Sequence, residues 1–307
     1  APNADDLTEL ELLLVEARAE AGSLAEELER AYLDSADQPE GEKVAEATFR
    51  RLVQLGDSAI EPTERVARDL AQRFPKLAWL PSQWFATRDL FSDALDLAET
   101  AISSGDAVSA FQGARTVLTV VDESRADPAF MDRAAQLIEQ AASSNDLPPT
   151  QAVLAMLRHF QGQTDPSRFD EEIRIYRQLL QSEPDNVVYL NNLAWALSEY
   201  SEQPQEALEL IDRALATLEV RPAELLDTRG VILIRLGQLD EAISTLNEVV
   251  RERPNNAVYY FHLARALANA QQTDQAREAV ARALELGLTA SDLEPFERDE
   301  LDSLKSL

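Results

Sequence analysis

Two histidines, His159 and His262, are the side chains of this sequence best suited to acid–base or metal chemistry. Neither has a histidine or carboxylate three or four residues away, which is the spacing that places two metal ligands on one face of a helix. Cysteine is absent and the nine glycines are scattered singly, so the sequence offers neither a thiolate site nor a glycine-rich phosphate loop. We therefore predict that the chain is not an enzyme, that it has no catalytic residue, cofactor or metal site, and that both histidines are structural or surface residues.

Carboxylates dominate the charge of the chain, with 56 Asp and Glu against 28 Lys and Arg and a net charge of −28. Adjacent carboxylates such as Glu26 and Glu27 point about 100° apart on a helix, so they form a solvated face rather than a proton-sharing pair. No segment is basic, and this excludes binding to nucleic acid or to anionic membranes. The acidity fits either solubility or a basic partner. No apolar run reaches the roughly 18 residues of a membrane span. For the compartment, the cytoplasm is favoured over export of a mature chain.

The elements that must position these side chains are helices. Alanine and leucine dominate, glycine is scarce, and amphipathic spacing recurs along the chain. The clearest internal repeat runs from Ala223 to Asn256, and a second unit begins directly at Ala257. In this register similar residue types coincide, in the pairs Leu226 and Tyr260, Gly230 and Ala264, Leu233 and Leu267, Ala242 and Ala276, Leu246 and Val280, and Val249 and Ala283.

This alternation of large and small positions, closed by Pro222 and Pro254, resembles the tetratricopeptide repeat (TPR). The resemblance implies an all-α fold, a right-handed α-solenoid of antiparallel helix pairs (a TPR superhelix). We expect a TPR array over 148–290, with the clearest repeats at 187–222, 223–256 and 257–288, and one inserted residue in the turn at 201–204. Gly237 is predicted to lie at the turn between the two helices of the second of these repeats.

The N-terminal part, residues 1–147, is predicted to consist of degenerate TPR-like helical repeats, and a separate helical bundle is the alternative. Amphipathic segments lie at 7–20, 24–33, 44–55, 62–74, 93–103, 107–121 and 128–142. The aromatic residues Trp79, Trp84, Phe85 and Phe91 are interpreted as core filling rather than as an exposed patch. Residues 291–307 are predicted to form a C-terminal capping helix, because a solenoid must cover its last apolar face.

The resemblance also implies that first helices line a concave wall that binds a protein partner. The candidate partner-binding residues at its inner positions are Asn191, Trp195, Asp227, Val231, Arg235, Phe261 and Arg265. Asn191 suits backbone amides, Arg235 and Arg265 suit carboxylates, and the aromatic pair Trp195 and Phe261 either anchors a ligand or packs against the next helix. No lysine stands at the matching positions for the carboxylate clamp of chaperone-docking members, so that clamp is not expected.

The function predicted from the sequence is a protein–protein interaction scaffold that binds a peptide or partner helix in the concave groove. The alternative is a regulatory or substrate-recruiting arm of a larger enzyme or assembly whose catalytic part lies outside this chain. A further domain in the full-length gene would favour that alternative. Self-association through exposed terminal helices is a third possibility.

Overall fold

The computed structural model describes residues 24–38, 40–124 and 128–307, and these residues are built from sixteen α-helices and three short 3₁₀ helices, with no strand. The helix predicted at 7–20 lies outside the described residues. None of the described helices combines the length and apolar character that crossing a membrane requires. The chain divides into two compact units, an N-terminal unit that ends at Leu154 and a C-terminal unit that spans Ala155–Leu307.

The helices of the N-terminal unit match six of the predicted amphipathic segments within a few residues. They are α1 (Leu24–Ser35), α2 (Gly41–Gln54), α3 (Ile60–Arg73), α4 (Trp79–Ala86), α5 (Phe91–Ile102), α6 (Ala107–Ser124) and α7 (Pro128–Ser144). The sequence pattern missed α4, because this eight-residue helix is apolar on nearly every side and lacks an amphipathic period. Trp84 and Phe85 of α4 are buried, in agreement with their interpretation as core residues.

The C-terminal unit is a succession of helix pairs. Its helices are α8 (Pro148–Gly162), which begins before the unit boundary, α9 (Ser167–Ser182), α10 (Val187–Tyr200), α11 (Pro204–Ala216), α12 (Ala223–Arg235), α13 (Leu239–Glu252), α14 (Ala257–Asn269), α15 (Thr273–Glu285) and α16 (Pro295–Lys305). From α9 onward each helix packs against the next one, and α8 contacts α9 through His159 and Glu172. Short turns between the helices make consecutive helices antiparallel. The predicted solenoid of antiparallel pairs is therefore confirmed.

The first helices of two pairs begin at asparagine caps. The Asn186 side chain accepts hydrogen bonds from the backbone N–H groups at the start of α10, and Asn256 does the same for α14. These bonds satisfy backbone donors that have no partner inside the helix. Asn186 and Asn256 therefore fix where each pair starts.

The turns within three of the pairs share a left-handed residue at one repeat position. Gly237 has φ +72° there, but Glu202 and Gln271 adopt φ +50° and +62° without being glycine. After Gly237 the N–H of Gln238 bonds to the carbonyl of Leu233, whereas in the first repeat the corresponding bond spans Gln203 to Leu197, one residue more. This longer turn is the insertion that the sequence predicts at 201–204.

Close packing between the paired helices depends on small residues. A Cβ added at Gly230 would lie 2.6 Å from Leu246 Cγ, so α12 and α13 could not approach as they do with a larger residue. Ala264, at the position equivalent to Gly230, and Ala242, at the small position of the second helix, are fully buried. The register of small and large residues therefore reflects real interhelical packing.

Candidate functional site

The first helices of the C-terminal unit form one continuous wall. Helix α12 contacts α10 on one side and α14 on the other, in addition to its own partner α13. On this face the rings of Trp195 in α10 and His262 in α14 approach to 6.4 Å between centroids, across the intervening α12. The first helices on either side of α12 therefore approach each other on this face, so the wall is concave here.

A pocket of about 200 Å³, called here the open pocket, lies in this wall between α8, α9, α10 and α12. Its lining is Met156, His159, Phe160, Glu172, Tyr176, Asn191, Asn192, Trp195 and Thr228. Met156 at its edge is 41% exposed and Trp195 is half-buried, so apolar surface remains open to solvent. Mostly apolar lining with a few directed polar groups is typical of ligand pockets.

Asn191, one of the residues that line the open pocket, carries an unused acceptor. Its Nδ2 donates to Asn192 Oδ1 at 3.4 Å, and Asn192 Nδ2 donates in turn to the Tyr176 hydroxyl at 2.9 Å. Asn191 Oδ1 is buried and has no hydrogen-bond partner among the described residues. A buried polar atom without a partner costs about 1–3 kcal/mol, so this oxygen favours the arrival of a donor.

Another part of the concave wall is covered by the chain's own C-terminal segment. Helix α16 packs on α14 and α15 as the first helix of a further pair would. Its N-terminal end, residues 294–300, crosses the inner face toward α8, and we call these residues the latch. Phe296 of the latch lies 5.9 Å from the Tyr200 ring and 5.6 Å from the Arg235 guanidinium.

The latch is held at its centre by a buried charged network. His262 Nδ1 lies 2.8 Å from Asp227 and its Nε2 lies 3.2 Å from Glu297. Arg265 contacts Glu297 at 2.6 Å and Glu300 at 2.5 Å. Burial alone would lower the pKa of His262, but Asp227 and Glu297 outweigh it and raise the pKa to about 9. At neutral pH the imidazole is therefore a cation between two carboxylates.

A second histidine anchors the start of the latch. His159 Nδ1 lies 3.2 Å from Glu172 and its Nε2 lies 3.3 Å from Glu294. The Tyr200 hydroxyl donates to the other oxygen of Glu294 at 3.1 Å. Burial opposes the charge of His159, but the two carboxylates raise its pKa to about 10. His159 therefore joins the latch to the open pocket, because it binds Glu294 of the latch and also lines the pocket.

The structure separates the predicted partner-binding residues into three groups. Asn191 and Trp195 line the open pocket, and Asp227 and Arg265 belong to the buried network under the latch. Arg235 is exposed and pairs with Glu199 at 2.6 Å beside Phe296.

The third group, Val231 and Phe261, has 0% exposed surface, so neither can contact a partner in this conformation. The assignment of all seven residues to partner binding stays a prediction.

The sequence did not predict that Met156 lines the pocket. It also did not predict that the carboxylates of the latch bind His159 and His262. Spacing within one helix cannot reveal these partners, because Glu172 lies on the next helix after His159 and the carboxylates around His262 come from neighbouring repeats. Asp227 and Glu297 each lie 35 residues from His262, close to one repeat length. Residues one repeat apart occupy equivalent positions on adjacent first helices, so this spacing is the signal that identifies such pairs.

Comparison with known proteins gives a match to one family. Residues 233–290 match the tetratricopeptide repeat. No curated protein sequence matches the chain significantly.

Several solved structures are similar to the chain at low identity. A thermophilic TPR protein of Thermus thermophilus, TTC0263, is 21% identical, with 63% of this chain and 100% of that chain covered and a TM-score of 0.49. YrrB, described as a TPR protein with an unusual peptide-binding site, is 20% identical, with 60% and 88% covered and a TM-score of 0.43. The type IV pilus biogenesis factor PilW is 22% identical, with 58% and 81% covered and a TM-score of 0.47. No functional assignment follows from likenesses at this level. The match shows that residues 233–290 of the chain consist of tetratricopeptide repeats.

Proposed function

We propose that the C-terminal unit is a protein-interaction scaffold whose concave wall binds a peptide segment or helix of a partner protein. The observation that carries this proposal is the unpartnered Asn191 Oδ1 in a pocket edged by exposed apolar surface. A peptide supplies both features that such a pocket lacks, a backbone N–H donor and an apolar side chain. In this proposal the protein acts by binding and positioning its partner rather than by catalysis.

The dimensions of the open pocket favour one anchoring side chain. Its volume of about 200 Å³ matches a single large apolar residue rather than a folded surface. Trp195 and Met156 offer the contact area, and aromatic residues tend to dominate the energy of an interface. Asn191 Oδ1 would fix the register of the bound backbone next to that anchor.

The test is peptide selection followed by affinity measurement. Peptides selected from a random display library on the full chain are measured by fluorescence anisotropy against wild type, Trp195→Ala and Asn191→Leu. We expect each variant to weaken binding about 10-fold or more, because each removes an anchor worth at least about 1.4 kcal/mol.

Val220→Ala is the matched control, because Val220 is an apolar residue 77% exposed outside the pocket. Peptides that bind all four proteins with equal affinity would show that the open pocket is not the binding site.

A further inference from the structure

The latch occupies the concave wall in the manner of a ligand. Glu294 reaches back to His159 and Tyr200, which precede it by 135 and 94 residues, so the segment spans the wall from α14 to α8. Its first residue contacts the same histidine that lines the open pocket. A partner helix laid along the wall from the open pocket would therefore meet the latch.

The interface between latch and wall is built on charge. The wall contributes the cations His159, His262 and Arg265, and the latch contributes the carboxylates that pair with them. Arg235 pairs with Glu199 of the wall and contacts the latch only through the Phe296 ring. Among the described residues, Arg265 pairs with two carboxylates. These are Glu297 and Glu300, and both belong to the latch. Buried ion pairs give little net stability, because desolvation offsets their attraction. A ligand without matching carboxylates would leave the buried cations unpaired, which is costly. This interface therefore fits exchange of one acidic segment for another.

The latch has the properties of a short, self-contained recognition motif. Glu294 and Glu297 form a capping box, in which each side chain accepts a backbone N–H of the other's region, and Pro295 occupies the first turn. These features favour a helical start without help from the rest of the protein. Phe296 is only half-buried, so it can leave the wall without opening the core.

We propose that the latch is a built-in competitor, and that the partner that displaces it docks through an acidic helix of the same pattern. That pattern is a carboxylate, a proline, an aromatic residue and a carboxylate, followed three residues later by another carboxylate. The inference rests on the proposed function of the concave wall and adds the chemistry of its ligand. An acidic partner helix is the opposite of what the net charge of −28 would predict by itself, namely a basic partner.

The experiment weakens the contacts of the latch by substitution in the full chain and adds the latch sequence as a separate peptide. The release variant is Glu297→Gln with Glu300→Gln, which removes two charges and keeps a side chain able to complete the capping box. The control variant is Glu278→Gln with Glu285→Gln, the same charge change on exposed positions of α15. The probe is a fluorescent peptide of residues 290–307, and its affinity is measured by anisotropy.

We expect the release variant to bind the probe at least 10-fold more tightly than wild type or the control variant. A probe that carries the same two glutamine substitutions should not bind any of them. Equal affinity of the probe for all three proteins, or equal binding of both probes, would overturn the proposal. If the release variant fails to fold by circular dichroism, Phe296→Ala in the full chain makes the same comparison.

Two further outcomes separate this inference from the proposed function. Library-selected peptides that need Trp195 but bind wild type and the release variant equally would leave the proposed function standing and refute the competitor. Wild-type protein that forms a dimer by exchange of α16, seen by light scattering across concentrations, would make a second copy the occupant and overturn the assignment to a partner.

Discussion

At the scale of single residues, the two histidines act as permanent cations rather than as sensors near neutral pH. Each imidazole lies between two carboxylates, and these raise the pKa to about 10 for His159 and about 9 for His262. Burial alone would raise the pKa of Glu297, but His262 and Arg265 outweigh it and lower that pKa. Both partners of this contact are therefore ionised between pH 6 and 8.

The pH dependence of stability follows from these directions. The pKa of each histidine is higher in the folded protein than the unfolded value of about 6.5, so its contribution is complete below pH 6.5. That contribution is lost as the pH rises through about 9 and 10. We expect the free energy of unfolding in urea to fall between pH 7 and pH 9.5, and to fall less in His262→Gln. NMR offers an independent check, since neither imidazole should titrate between pH 6 and 8. A midpoint near 6.5 for either ring would contradict the ion pairs.

At the scale of the helices, the sequence predicted the features that depend on residues close together in the chain. The repeat register, the small residues such as Gly230 and the turn at Gly237 follow from local spacing, and each is found in the structure. The left-handed conformation of Glu202 and Gln271 was not predictable from residue type, because glycine is the usual signal for it. The course of the latch was not predictable either, because it depends on contacts between residues far apart in the chain.

One of these turns gives a prediction at this scale. A non-glycine residue in the left-handed region costs roughly 1 kcal/mol, so we expect Gln271→Gly to raise the free energy of unfolding by up to about 1 kcal/mol. Gly237→Ala at the equivalent position should lower it by a similar amount. Gln271→Ala is the control, because it removes the side chain and keeps the strained backbone. Chemical denaturation measures all three, and equal stability of the glycine and alanine variants would show that the turn is unstrained.

At the scale of the whole molecule, repulsion among the carboxylates is the dominant long-range term. The chain carries 56 acidic groups and a net charge of −28, and compaction brings like charges together. Many of its arginines already pair with carboxylates at the surface, and exposed pairs of this kind contribute little stability. Net repulsion should therefore outweigh these pairs.

Salt provides the corresponding test. The screening length falls from about 30 Å at 0.01 M to about 10 Å at 0.1 M, so added sodium chloride should weaken the repulsion. We expect the Tm to rise by a few degrees over this range, with little further change above it. A Tm that falls with added salt would mean that the surface ion pairs outweigh the repulsion.

The contact of the latch with residues much earlier in the chain also limits how the number of repeats can change. An open solenoid can gain or lose a repeat, because each unit contacts only its neighbours. Here Glu294 must still meet His159 and Tyr200 after any such event. Duplication of one repeat unit between these residues would carry the last helix away from its contacts. We therefore expect the number of repeats between His159 and Glu294 to stay constant and growth by duplication to occur outside that interval.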